Sequence, residues 1–237
     1  ALYGLASLTH NVQSLDLERK EIELPIEVMH ISYGYSSDFI PITRQYLSRF
    51  KPSMTIIEST VPVGTTRQVA SNTSIPVVHS PFRGNADNFH RWLKFIGTDS
   101  LENGRIVQDY YTGIGVKSEI LGSFETTELG KLVDTCFYAT CIGFVQEVYR
   151  MSRFFNVDFD KVWRRFSETF TIDPEYRIQR PYNIYPGVIG KHCLPENLDI
   201  LKGLHPSPIL QAVIDSNERR KKEIREDKTD PYYVGEK

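Results

Sequence analysis

The chain has 237 residues, 40% of them hydrophobic and 24% charged, which is the composition of a globular protein long enough to bury a sizeable core. A formal net charge of -2 argues against nucleic acid or anionic lipid as a partner, and no run is apolar and long enough to span a bilayer. Three cysteines without CxxC spacing argue against a zinc site and suit a reducing cytoplasm.

In chain order, β-branched apolar runs at Val28–Tyr33, Met54–Glu58 and Ile75–His79 predict strands, with a weaker one at Val12–Leu17. Ser37–Phe50 has a Ser/Asp start, an early proline and basic residues near its end, so it reads as a helix. Strands alternating with helices predict a parallel sheet covered by helices. After Phe124 the period changes. Leu129, Leu132, Val133, Cys136, Phe137, Thr140, Cys141, Phe144, Val145 and Val148 recur at helical spacing and predict one long helix with this face in the core. Ser123 and Thr126 suit its start, and Glu125 and Glu128 suit its dipole. Further helices are expected over Phe159–Phe170 and from Ile209 to about Arg225, with a structured loop over Asp173–Pro195 between them. The expected organisation is an α/β part over 1–122, an all-α part over 123–226 and a polar, frayed tail over 227–237.

Three segments carry candidate chemistry. In Pro186–Pro195 (PGVIGKHCLP), Cys193 follows glycines that permit positive φ and close approach, and Lys191 and His192 stand beside it to favour a thiolate. The competing reading is a small buried cysteine in a tight turn. Lys131 lies off the apolar stripe, on a polar face shared with Thr135 and Tyr138; most such lysines are only solvated. Glu58–Thr66 (ESTVPVGTT) ends a strand and turns, placing Ser59, Thr60, Thr65 and Thr66 where ligands bind open α/β sheets, or where threonines cap a helix.

Glu58–Thr66, Ser80–Gly84 (SPFRG), Glu125–Phe137 (ETTELGKLVDTCF) and Pro186–Pro195 together, in this order and spacing, resemble the UDP-glucose/GDP-mannose 6-dehydrogenases. The likeness runs from about Val28 to Asn217. It implies an incomplete Rossmann-like parallel sheet followed by an all-α central domain, and NAD-dependent oxidation of a sugar nucleotide at C6, NADP being the other cofactor open. By this resemblance Cys193 takes the nucleophile's place, attacking an aldehyde to give a thiohemiacetal and then a thioester. Lys131 takes the place of the lysine that stabilises the oxyanion, and Thr60 that of the threonine that positions water. Arg83, Thr135, Gly190, His192 and Asn197 fall at substrate positions, and Tyr33, Ser59 and Thr60 at cofactor positions. Ala1–Leu8 corresponds to the end of a helix and Val12–Leu17 to the second strand, with Asp16 or Glu18 meeting the adenosine ribose. A homodimer through the helix that starts near Glu128 is likewise implied.

The sequence departs from the family pattern at Phe82 for a glutamate, Thr135 for an asparagine, Asn197 for an aspartate and Lys191 for a glycine, and it holds no GxGxxG. Fewer general bases for the water step leave a second expectation, a degenerate relative acting as a binding or dimerisation module. A Cys-His thiol hydrolase is a third, without an orienting Asn or Asp marked for His192.

Overall fold

The computed structural model describes residues 25–84, 91–172, 183–190 and 193–232. The expected strand Val12–Leu17, Asp16, Glu18, Lys191 and His192 lie outside the described residues. The chain divides into two compact units, Ala1–Leu132 and Val133–Lys237.

The first unit is built on a sheet of β1 (Val28–Ile31), β2 (Met54–Ile57), β3 (Val77–His79), β4 (Lys94–Gly97) and β5 (Ser118–Gly122), hydrogen-bonded in that order. β1, β2 and β3 run parallel, in the register Val28 with Met54 and Thr55 with Val77. Between them stand α1 (Phe39–Phe50) and α2 (Thr65–Ala70), and α3 (Leu101–Gly113) joins β4 to its parallel neighbour β5. The sheet is mostly parallel rather than wholly so: β4 meets β3 antiparallel at His79 and Gly97. The reversal sets Lys94, the first residue of β4, beside Glu58 and Ser80, where its ammonium is paired.

Alternation along β2 explains why both of its faces are covered. Met54 and Ile56 pack with Val78, Ile96, Val107 and Tyr111 on the α3 side. Ile57 packs with Ile31, Val77, Phe39, Leu47 and Val69 on the α1 and α2 side. β4, α3 and β5 were not expected from the sequence. β4 offers only Phe95 and Ile96 as an apolar run, and α3 (LENGRIVQDYYTG) carries Asn and two Gly inside it. Ser100 nevertheless caps α3, its hydroxyl accepting the Asn103 N–H at 3.2 Å.

The helix α4 (Phe124–Phe154) begins in the first unit, and the division falls within it. In the second unit follow a π-helical turn (Asp160–Arg165), α5 (Phe166–Ile172), α6 (Cys193–Leu204) and α7 (Pro208–Glu226). Cys193, expected in a loop, is the first residue of a helix. The predicted core face of α4 is corrected as well: Leu132, Cys136, Val145 and Val148 are buried, but Leu129 (44%), Val133 (48%), Phe137 (66%) and Phe144 (57%) are exposed. Ala139, Gly143 and Gln146 take the buried side in their stead. At Gly143 a Cβ would lie 3.2 Å from Val213, so small residues let α7 approach α4 there.

Asp227–Tyr232, expected to fray, packs instead. Asp230 pairs bidentately with Arg220 at 2.9 Å through both oxygens, both side chains being 1% exposed, and the Tyr232 ring stands edge-on to Tyr149 and Phe159. Polar composition hid an anchor whose partner lies on α7. Among the described residues no helix is long and apolar enough to cross a membrane, and no group of His, Cys, Asp and Glu could hold a metal ion.

Candidate active site

Because β1, β2 and β3 are parallel, the loops that follow them leave the same edge of the sheet, the edge at which open α/β sheets take ligands. Tyr33, Ser59, Thr60 and Arg83 lie on these loops. The Ser59 hydroxyl, itself buried, lies 2.6 Å from the Tyr33 carbonyl and 3.2 Å from that of Ile31, tying two loops together. Tyr33 shares a short hydrogen bond with Thr43, and burial raises its phenol. Thr60 is half-buried beside Ser59, and the Arg83 guanidinium stacks over Phe95 at 5.0 Å.

The turn after Thr60 is fastened to α4. Gly64, at φ 91°, caps α2, and the Gly64 and Thr66 N–H groups donate to the Glu128 carboxylate at 2.6 and 2.7 Å. Glu128 is fully buried; burial pushes its carboxyl up, and the two N–H groups pull it back. Lys131 follows three residues later on α4, half-buried. The sequence marked Glu128 only as an acid suited to the helix dipole; nothing in it shows that its acceptors serve a turn 62 residues away.

Beneath the same edge lies a buried polar set. The Lys94 ammonium donates to Glu58 and to the Ser80 carbonyl, both at 2.8 Å, and His30 approaches Glu58 at 3.4 Å. Burial opposes the Glu58 charge, but Lys94 and His30 outweigh it and hold the carboxyl at about 2. Burial lowers Lys94, with Glu58 opposing. His79 bonds Thr127 at 2.7 Å through Nδ1 and the Ser59 carbonyl at 3.2 Å through Nε2. The carbonyl can only accept, which assigns the proton to Nε2. Burial, with Lys94 nearby, lowers this imidazole to about 4 against the pull of the Ser59 carbonyl, so it is neutral at pH 7. Gly97 makes room for Thr127, whose Oγ1 would lie 2.1 Å from a Cβ there.

In the second unit Cys193 is exposed at the start of α6, and Asn197 is buried one turn on. The Asn197 carbonyl accepts the Cys136 thiol at 3.4 Å, and burial raises that thiol to about 11. Thr135 is half-buried on α4, and Gly190 is exposed. Neither Gly187 nor Gly190 uses the left-handed φ that glycine permits, and a Cβ at Gly187 meets nothing within 4 Å. The loop is shaped by its partners instead: Gln146 donates to the Gly187 carbonyl at 2.7 Å, and Asn217 bonds both N–H and carbonyl of Ile189. Nothing in the sequence marks either side chain, because both sit in helices without a motif of their own.

A nicotinamide dinucleotide is fitted only in part by the described residues. The loops after β1 and β2 offer hydroxyls and carbonyls for a nucleoside, but the N–H groups at the start of α2, which would suit a phosphate, are taken by Glu128.

Residues 125–219 match the UDP-glucose/GDP-mannose dehydrogenase family, central domain. No curated protein matches the chain by sequence. Among solved structures, it resembles a UDP-D-ManNAc dehydrogenase from Pyrococcus horikoshii (TM-score 0.67, 20% identity, 84% of this chain and 52% of that one). It also resembles a UDP-glucose dehydrogenase from Pyrobaculum islandicum (TM-score 0.64, 21% identity, 81% and 50%). A third likeness is to a 3-hydroxyisobutyrate dehydrogenase from Mycobacterium tuberculosis (TM-score 0.59, 12% identity, 87% and 76%). These are likenesses of fold, and the chain spans about half the length of the first two.

Proposed function

We propose that this chain, whose residues 125–219 match the central domain of the UDP-glucose/GDP-mannose dehydrogenase family, is a nucleotide-sugar dehydrogenase that oxidises C6 of a sugar nucleotide with NAD as the hydride acceptor. The observation that carries the proposal is Cys193 within this domain: it alone of the three cysteines is exposed, at the first turn of a helix and after a loop held by buried side chains. Its thiolate adds to the aldehyde carbon. Lys131 stabilises the alkoxide that results, and Thr60 orients the water that later opens the thioester. A nicotinamide held by the loops that carry Tyr33, Ser59 and Thr60 would supply the hydride acceptor for each oxidation. Glu128 keeps the Thr60 turn attached to the helix that carries Lys131.

Arg83, Thr135, Gly190, His192 and Asn197 are the proposed substrate residues, and Tyr33, Ser59, Thr60 and Asp16 the proposed cofactor residues. The exposed row Leu129, Val133, Phe137 and Phe144 supports a homodimer through α4, because apolar rows of this kind are costly to leave in water. Three unpaired cysteines agree with a cytoplasmic site of action.

The test is NADH formation with UDP-glucose, UDP-N-acetylmannosamine and GDP-mannose, followed by absorbance. The expected result is turnover with one of them and its loss in Cys193→Ala. A flat signal with all three, together with a flat NAD titration, would refute the dehydrogenase reading.

A further inference from the structure

Residues 183–190 lie in no strand or helix, yet several of their backbone polar groups are bonded inside the second unit. Four of them go to three buried side chains. Arg220 Nε donates to the Pro186 carbonyl at 2.6 Å and Gln146 Nε2 to the Gly187 carbonyl at 2.7 Å. Asn217 Oδ1 accepts the Ile189 N–H at 2.7 Å, and its Nδ2 donates to the Ile189 carbonyl at 3.1 Å. The Asn217 amide thus does for one residue what a neighbouring strand would do.

These side chains are themselves locked. Gln146 accepts from Ser216 at 2.9 Å and donates to Asn217 at 3.3 Å, and Arg220 is gripped by Asp230. Ile189 is 1% exposed and packs with Cys136, Ala139, Leu198 and Leu210, so the loop is anchored just before it emerges at the exposed Gly190. Side-chain amides are the suitable devices here. An irregular loop offers donors and acceptors in no regular order, and the amides of Asn and Gln carry both on one planar group.

We infer that Asn217, supported by Gln146 and Arg220, is a positioning residue that fixes the backbone from which Cys193 presents its thiol. The inference rests on the dehydrogenase reading above. Addition of sulfur to an aldehyde depends steeply on approach, and a displacement of about 1 Å costs on the order of 100-fold in rate.

The test compares Asn217→Ala and Asn217→Asp with the wild type in sugar-nucleotide oxidation, and follows hydrogen exchange at the Ile189 amide. Asn217→Ala is expected to lower kcat roughly 10- to 100-fold with KM for the sugar nucleotide within about threefold. Asn217→Asp keeps the acceptor for the Ile189 N–H and loses the donor. Its kcat relative to wild type is expected to recover as the pH falls, because the protonated carboxyl regains a donor. In the wild type the Ile189 amide is expected to be protected, and to lose protection in Asn217→Ala. Unchanged kcat in folded variants, or an unprotected Ile189 amide in the wild type, overturns the positioning role while leaving the dehydrogenase reading in place. A wild type that turns over no sugar nucleotide refutes that reading and this inference with it. Should Asn217→Ala not fold, Asn217→Asp and the wild-type exchange decide the matter.

Discussion

The carboxylate of Glu128 accepts the backbone N–H of Thr66 at 2.7 Å, and through it the first residues of α4 are bound to the turn that follows Thr60. A second N–H, that of Gly64, reaches the other oxygen at 2.6 Å. A helix N-terminus on an α/β sheet is ordinarily a place for an anionic ligand; here a side chain of the same unit fills it.

Glu128→Ala would leave both N–H groups without their acceptor, at a cost of about 2–5 kcal/mol. Glu128→Gln keeps one acceptor and turns an NH2 toward the other N–H, so its cost should be smaller, about 1–3 kcal/mol. Urea unfolding of the three proteins checks the order. Equal stability would show that the turn is held by other contacts.

His79 makes stability depend on pH. Its imidazole lies at about 4 in the folded chain against 6.5 ordinarily, so the unfolded chain binds the proton first as the pH falls. The contribution is whole above pH 6.5 and is lost as the pH falls towards about 4, on the order of 3 kcal/mol in all. An NMR titration should find one imidazole unchanged through pH 6.5, and His79→Gln should flatten the stability profile in this window. A normal His79 midpoint would contradict the burial argument.

Lys94 and Glu58 form a pair in which neither charge is tolerable alone. Lys94→Met should cost about 3–5 kcal/mol, and adding Glu58→Gln should return a large part of it. With Lys94 present the Glu58 carboxyl stays at about 2, so its contribution holds above pH 4.5 and fades as the pH falls through about 2. Without Lys94, burial raises the carboxyl, and the single variant should gain stability on acidification relative to wild type. Parallel pH profiles for the two would argue against the pairing.

Cys193 should react with iodoacetamide at least about tenfold faster than Cys136 or Cys141. Cys193 is exposed, while burial raises the other two thiols, Cys136 to about 11. Peptide mapping after brief labelling reads the rates directly. Slow labelling at all three positions would remove the nucleophile.

If the proposed homodimer forms through α4, Val133→Glu and Phe137→Glu, at exposed positions there, should convert it to monomer without loss of fold. Sedimentation measures the mass. An unaltered dimer would place the interface elsewhere.

Several of these features were readable in advance. The strands β1, β2 and β3 are β-branched runs whose alternation serves two covered faces, and α4 announces itself by period. The order of four motifs pointed to the family whose central domain matches residues 125–219, but Cys193 was expected in a loop and stands at the head of α6. Periodicity, however, counts apolar residues without knowing what covers them. Leu129, Val133, Phe137 and Phe144 were therefore expected in the core with Leu132 and Cys136, although the structure leaves them exposed.

What the sequence determined by itself was local: where backbone conformation and apolar spacing make strands and helices, and which short motifs carry a thiol, an ammonium and hydroxyls. Tertiary structure alone decided the partners of the polar groups. Glu128 meets Gly64 and Thr66, Lys94 meets Glu58, Asn217 meets Ile189, and Arg220 meets Asp230 across a stretch that reads as a polar tail. The physical reason is that a buried hydrogen bond depends on a few tenths of an ångström and on direction, both created when distant segments pack. No residue type or spacing carries that information alone. The same holds for Cys193: its motif is legible, but its exposure at the head of α6 and the clamp on the preceding loop exist only in the folded unit.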